Sequence, residues 1–218
     1  MKTKIFIYQK VILAFVVMLF FSCNNNGLIV KAQETDNYTD QRDGKTYKTV
    51  KIGEQWIMAE NFAYKPEQGN FWTYGDDTSN ILKYGYLYDW ETAKKVAPEG
   101  WHLPSLEEWK TLRKSLGGKR DVFKYLGGTM EIVFKQMVIK EGFNAKFAGD
   151  IRDNGQFGNI NLRTDFWSST NGGENGPYYY RVDCRDSTAY LGSVDFPKSG
   201  KSVRFFKDLP KNINEHKK

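Results

Sequence analysis

"PEGWHLPSLEEWKTL", residues 98–112, decides the fold because it fixes where a helix begins and which of its faces is buried. Ser105 followed three residues later by Glu108 is a capping box. The hydroxyl and the carboxylate are each placed to take one backbone N–H that the first helical turn leaves unpaired. Leu106, Trp109, Leu112 and Leu116 then share one face, and Gly117-Gly118 closes the run, so the spacing predicts a helix that starts at Ser105. Pro104 keeps Leu103 extended, which makes "GWHLP" a short rigid strap leading into the cap. His102 sits in that strap, with its imidazole expected to hydrogen-bond backbone and its ring body expected to pack between Trp101 and neighbouring strands.

Outward on the N-terminal side, "YGYLYDWETAKKVA" spaces Leu87, Trp90, Ala93 and Val96 as an amphipathic helix of about three turns, stopped by Pro98. Residues 64–83 form a loop rich in Gly, Asn, Asp and Thr that carries Trp72 and Tyr74. Before it, Asp43-Gly44 signals a turn, "KTYKTVKI" alternates, Gly53-Glu54 turns, and "QWIMAEN" alternates again, which is a hairpin. On the C-terminal side, residues 119–142 mix both periods and are read as a short helix and loop. Beyond them come short strand candidates between turn residues: "FNAKFAGDIR", "QFGNINL", "DFWSST", "YYYRVD", "AYLGSV" and "SVRFFKD". The layout is α+β: two helices flanking a small antiparallel sheet, plus a loop-rich region of short strands.

The N-terminus is expected to be an export signal rather than part of the fold. "MKTKIFIYQK" is a basic n-region and "VILAFVVMLFF" an apolar h-region too short for a mature membrane span. "LFFSC" places Ser22 before Cys23 in the manner of a bacterial lipobox, so residues 1–22 are expected to be removed and Cys23 lipidated. Ordinary cleavage before Gln33 is the alternative. Each buried acyl CH2 supplies about 0.8 kcal/mol of membrane anchoring. Residues 23–38 then form a flexible tether, 39–208 the domain, and 209–218 a charged tail.

Loss of Lys2, Lys4 and Lys10 with the signal halves the formal charge of +6, and much of the remaining excess lies from Lys201 onward. Export and a near-neutral body exclude the basic, aromatic-interleaved stripe of a nucleic-acid binder. With Cys23 lipidated, Cys184 has no partner for an internal disulfide and reads as a buried hydrophobe. Six Trp, thirteen Tyr and fifteen Phe give material for an aromatic core.

Candidate chemistry is thin. His102 is the single histidine of the domain, and no CxxC, HExxH, EF-hand or GxSxG pattern accompanies it. No metal and no cofactor are expected. Asp150, Asp153, Asp165, Asp183 and Asp186, with Asp76-Asp77 and Glu107-Glu108, are the carboxylates from which an acid/base pair would have to be drawn, at a separation set by the fold. "GDDTSN" and "TNGGENG" carry oxygen donors suited to Ca2+ or equally to ordinary turns. The loop rings Trp72, Tyr74, Tyr178 and Tyr179 are the candidate ligand-binding residues, and the alternation in "YYYRVD" turns one or two of its tyrosines inward.

"TDQRDGKTYKTVKIGEQWIMAENF", "YGYLYDWETA", "PEGWHLPSLEEWKTL", "FWSST" and "SVRFFKD", in this order, resemble the Fibrobacter succinogenes major paralogous domain of exported proteins and lipoproteins in Bacteroidetes-type bacteria. The resemblance runs from about Thr39 to Asp208 and implies a C-type lectin-like fold. It makes the Trp-His strap and "WSST" scaffold signatures. Relatives often hold cysteines where this chain has Ala97 and Phe205, and the Ca2+ motifs of sugar-binding C-type lectins are absent. The resemblance thus implies a non-catalytic binding or adhesion domain for a glycan or protein, anchored by lipid in the outer membrane and facing the cell surface or the periplasm. The alternatives are a structural subunit of a surface assembly, or an enzyme of the related formylglycine-generating fold.

Overall fold

The computed structural model describes residues 34–116, 142–193 and 198–209. The expected short helix and loop at 119–142, Cys23 and the tail lie outside these residues, apart from Gly142 and Leu209.

The N-terminal part is a meander. Strand β1 (Thr35–Thr39) pairs antiparallel with β2 (Thr46–Ile52), and β2 pairs antiparallel with β3 (Gln55–Met58). Gly53 turns β2 into β3 with φ +60°, and a Cβ there would run into Ser115, so the turn also needs the missing side chain. β1 lies inside the expected tether. Its polar sequence "TDNYT" hides no apolar face, and the strand is held by its ladder and by Tyr38, whose ring rests 5.2 Å from that of Trp101.

The first expected helix is shorter than its periodicity predicts. Strand β4 (Phe71–Trp72) pairs with β5 (Leu87–Tyr88), a four-residue turn α1 (Ile81–Tyr84) lies between them, and α2 covers only Trp90–Lys95. Asp89 explains the boundary: its carboxylate accepts the Thr92 N–H at 2.8 Å and caps the helix there. The residues before it are extended because Tyr88 exchanges backbone hydrogen bonds with Lys201.

The capping box forms as expected. Ser105 Oγ accepts the Glu108 N–H, Glu108 Oε2 accepts the Ser105 N–H at 2.8 Å, and α3 runs Leu106–Ser115. Before it, β6 (Trp101–His102) lies on the sheet edge. Trp109 and Leu112 are fully buried, and Leu116 nearly so.

Strands β7 (Ala148–Ile151), β8 (Phe157–Ile160), β9 (Arg163–Asn171), β10 (Pro177–Asp183), β11 (Thr188–Ser193) and β12 (Phe206–Lys207) complete the described chain. One sheet has the order β1-β2-β3-β12-β6, and a second has the order β11-β10-β9-β7-β8. Among the strand pairs of the described residues, only β7–β9 is parallel. The structure is mostly β with a few helices, consistent with an α+β class.

Residues 200–206 stitch these sheets together. Gly200 bridges to Ile151 of β7, Lys201 to Tyr88 of β5, Ser202 to Phe166 of β9, and Phe206 to both Ile57 and His102. Val203, Arg204 and Phe205 are fully buried. Around this seam Trp109 stacks on Tyr180 (5.0 Å, 17°) and meets Phe206 edge-on at 5.2 Å, while Phe62 meets Phe205 edge-on at 4.7 Å. Such aromatic pairs add about 1 kcal/mol each beyond the area they bury.

Candidate functional site

His102 is a clamp. Its Nε2 lies 2.6 Å from Glu108 Oε1, and its Nδ1 lies 2.6 Å from Asp208 Oδ1. The expected backbone partner is thus replaced by two carboxylates. The antiparallel register, which sets His102 beside Phe206 and Trp101 beside Lys207, brings Asp208 within reach. The bond to Glu108 foremost, then that to Asp208, raises the His102 pKa against the opposing cost of burial. Burial pushes Glu108 up, but its bonds to His102 and Ser105 outweigh this and leave it below the usual carboxylate value. An imidazole with both nitrogens committed to carboxylates has no free nitrogen with which to take a substrate proton.

The interior carboxylates are likewise committed. Asp165 is fully buried and accepts two 2.7 Å bonds from Arg181, with Lys201 Nζ at 3.6 Å. Burial opposes its charge, yet Arg181, Lys201 and Arg163 hold its pKa at about 2. Asp150 binds Arg163 at 2.9 Å and Asn159 at 2.6 Å, and Asp183 binds Arg185. Asp150, Asp165 and Asp183 are therefore drawn into separate cationic contacts. Asp77 accepts Ser79 N–H and Asn171 accepts Gly173 N–H, which is turn chemistry in the two oxygen-rich loops. Among the described residues, no group of three or more His, Cys, Asp and Glu is arranged to hold a metal ion.

The four candidate aromatics separate. Trp72 and Tyr74 are half-buried beside Tyr84, Leu87, Ala148 and Ile151, with Tyr74 5.2 Å from Phe157. Tyr178 is half-buried and lies over Gly172. Tyr179 is 8% exposed and belongs to the core, which corrects its expected place on the binding face. Both Tyr179 and its neighbour Tyr180 are buried, in different core clusters, and Tyr179 packs with Lys201 Nζ 4.9 Å from its ring centroid. A cleft of about 280 Å3 lies next to the Tyr178 turn, lined by Trp90, Glu91, Asn171, Glu174 and Pro177.

The family model described as the Fibrobacter succinogenes major domain matches residues 50–207. The chain belongs to this family. No curated protein matches, and no solved structure matches. In this member of the family, Phe205 is fully buried and Ala97 packs against the same cluster, so apolar packing occupies the two positions that the resemblance associates with cysteine.

The major-domain residues that sequence reading missed are the buried cations. Arg204 donates to Asn61 Oδ1 (2.8 Å) and to the carbonyls of Met58 (3.2 Å), Phe143 and Asn144 (3.0 Å). Lys201 sits 4.9 Å from the ring centroids of both Trp167 and Tyr179. In "KSVRFFKD" both residues look like the polar positions of an edge strand, and only the crossing of three sheets over this segment buries them. Cys184, half-buried, donates to the Asn161 carbonyl at 3.5 Å.

Proposed function

We propose that the protein is an exported envelope lipoprotein, anchored through Cys23, whose C-type lectin-like domain is a non-catalytic binding or adhesion module for a glycan or protein. The observation that carries this reading is the placement of Trp72, Tyr74 and Tyr178. Each is partly open to solvent: Trp72 ends β4, Tyr74 starts the turn after it, and Tyr178 lies near the start of β10, and both strands are paired into sheets. Rings of this kind stack on sugar faces or insert into protein surfaces at low entropic cost. The commitment of His102, Asp150 and Asp165 to internal partners favours this reading over acid/base catalysis. Among the described residues the large exposed hydrophobics, Leu82, Leu162 and Leu209, do not add up to the contiguous apolar face that an assembly subunit would bury.

The test is a screen of the full chain against polysaccharides and surface-protein fractions, with a Trp72→Ala/Tyr178→Ala variant beside it. Saturable binding that weakens about tenfold or more in the variant is the expected result, since truncating a central anchor costs that much. Binding unchanged in the folded variant would sink the aromatic-loop reading.

A further inference from the structure

A second cleft, of about 350 Å3, opens beside α1, lined by Lys45, Thr46, Tyr47, Glu60, Asn61, Ile81, Leu82, Lys83, Asn144 and Lys146, among others. It draws on β2, the end of the β3 segment, α1 and the stretch before β7, so four separate parts of the chain contribute to one concavity. Its charge is lopsided: three lysines face a single carboxylate, Glu60. Glu60 Oε2 already accepts the Lys48 backbone N–H at 2.9 Å.

Among the described residues, neither Lys45, Lys83 nor Lys146 is ion-paired, unlike Lys51, Lys94, Lys110 and Lys201. Lys45 Nζ instead lies 5.5 Å from the Tyr47 ring centroid, and Lys83 Nζ lies 4.6 Å from that of Tyr84. Burial lowers the Lys45 pKa against the pull of Asp43 and Glu60, so this ammonium is held partly desolvated without a contacting anion. A neighbouring cavity of about 590 Å3 shares Glu60 and Asn144 and adds Thr35, Asn37 and Thr49 with one charge of each sign, Lys48 and Asp36, along β1 and β2.

We infer that this cleft is a binding site for an acidic polysaccharide, one bearing uronate or sulfate groups. The ammonium groups match its anions. The carboxylate of Glu60, the amide of Asn144 and the hydroxyl of Thr46 match sugar hydroxyls, a set that a bare phosphate or an apolar peptide would leave unused. Two open cavities that share Glu60 and Asn144 in their walls offer adjoining subsites, which suits a chain rather than a compact metabolite. A concave surface with an excess of positive charge also concentrates an anionic ligand at low salt. The site deepens the glycan form of the proposed function but rests on different residues from Trp72 and Tyr178.

The experiment titrates the full chain against polygalacturonate, dextran sulfate and neutral dextran at two salt concentrations. It compares Lys45→Ala/Lys83→Ala/Lys146→Ala, the single reversal Lys83→Glu on an exposed turn, and Lys65→Ala/Lys95→Ala/Lys198→Ala as a charge-matched control at exposed positions. Binding to one or both acidic polymers but not to dextran, about tenfold weaker in the cleft triple and within about twofold in the control, is expected, with the difference shrinking at high salt. Lys83→Glu weakens binding in the same direction and keeps the test open if the triple variant unfolds. The response to polygalacturonate against dextran sulfate separates uronate from sulfate recognition. Equal losses in both triples, equal affinity for dextran, or no binding to either acidic polymer would overturn the site. Loss in Trp72→Ala/Tyr178→Ala with none in the cleft variants would overturn the cleft and leave the aromatic reading standing.

Discussion

Arg204 lies fully buried and meets only neutral acceptors, one amide oxygen and three backbone carbonyls, drawn from 58–61 and 143–144. A planar fork reaches all of them at once, and an ammonium does not. Arg204→Lys should therefore cost about 2 kcal/mol, as stranded buried carbonyls do, read as a lower urea midpoint with unchanged slope. An unchanged midpoint would show that the fork is not what ties these segments together. His102 gives a pH signature with a definite sign. Its raised pKa makes a contribution complete below its ordinary 6.5 and lost as pH rises through the folded value. The lowered pKa of Glu108 makes one complete above its ordinary 4.5 and lost as pH falls through the folded value. The clamp thus stabilises most between pH 4.5 and 6.5, and His102→Gln should flatten the alkaline side of a thermal-stability profile. His102 itself was legible as scaffold. Its partners were not, because Asp208 is 106 residues away and only strand register joins them.

At the scale of elements, the helix start at Ser105 was readable because capping is local: four residues contain both halves of the box. Ser105→Ala should cost about 1 kcal/mol, and Trp109→Ala about 4 kcal/mol, both read by chemical denaturation. Equal small effects would mean that α3 is peripheral. The overlong first helix failed for a physical reason: Leu87, Trp90, Ala93 and Val96 do share a helical period, but Leu87 is spent in a different cluster from the other three. Periodicity reports which side chains are buried, and not whether one core or two receive them. The aromatic loops show the same limit. Tyr178 and Tyr179 are indistinguishable in composition, and the face each takes is fixed by the pairing of β10 with β9 and β11.

Across the whole molecule, residues 200–206 tie distant elements together. They contact β3, β5, β6, β7 and β9, strands drawn from both large sheets and from the β4–β5 pair. Deleting residues 200–218 should abolish cooperative unfolding and near-ultraviolet dichroism, whereas a retained sharp transition would show that the sheets cohere without the seam. Anchoring belongs to this scale too: Cys23→Ser should move the protein out of the membrane fraction and abolish labelling by a radioactive fatty acid, and persistent labelling would refute lipidation there. In the proposed function a rigid scaffold displays a recognition surface on its loops. Hydrogen exchange of the full chain, with and without a saturating ligand from the binding screen, tests it most directly. New protection confined to 71–86 and 171–178, or to the lysine cleft, is the predicted result. Protection centred on His102 and the β6–β12 edge, or absent despite saturation, would contradict it.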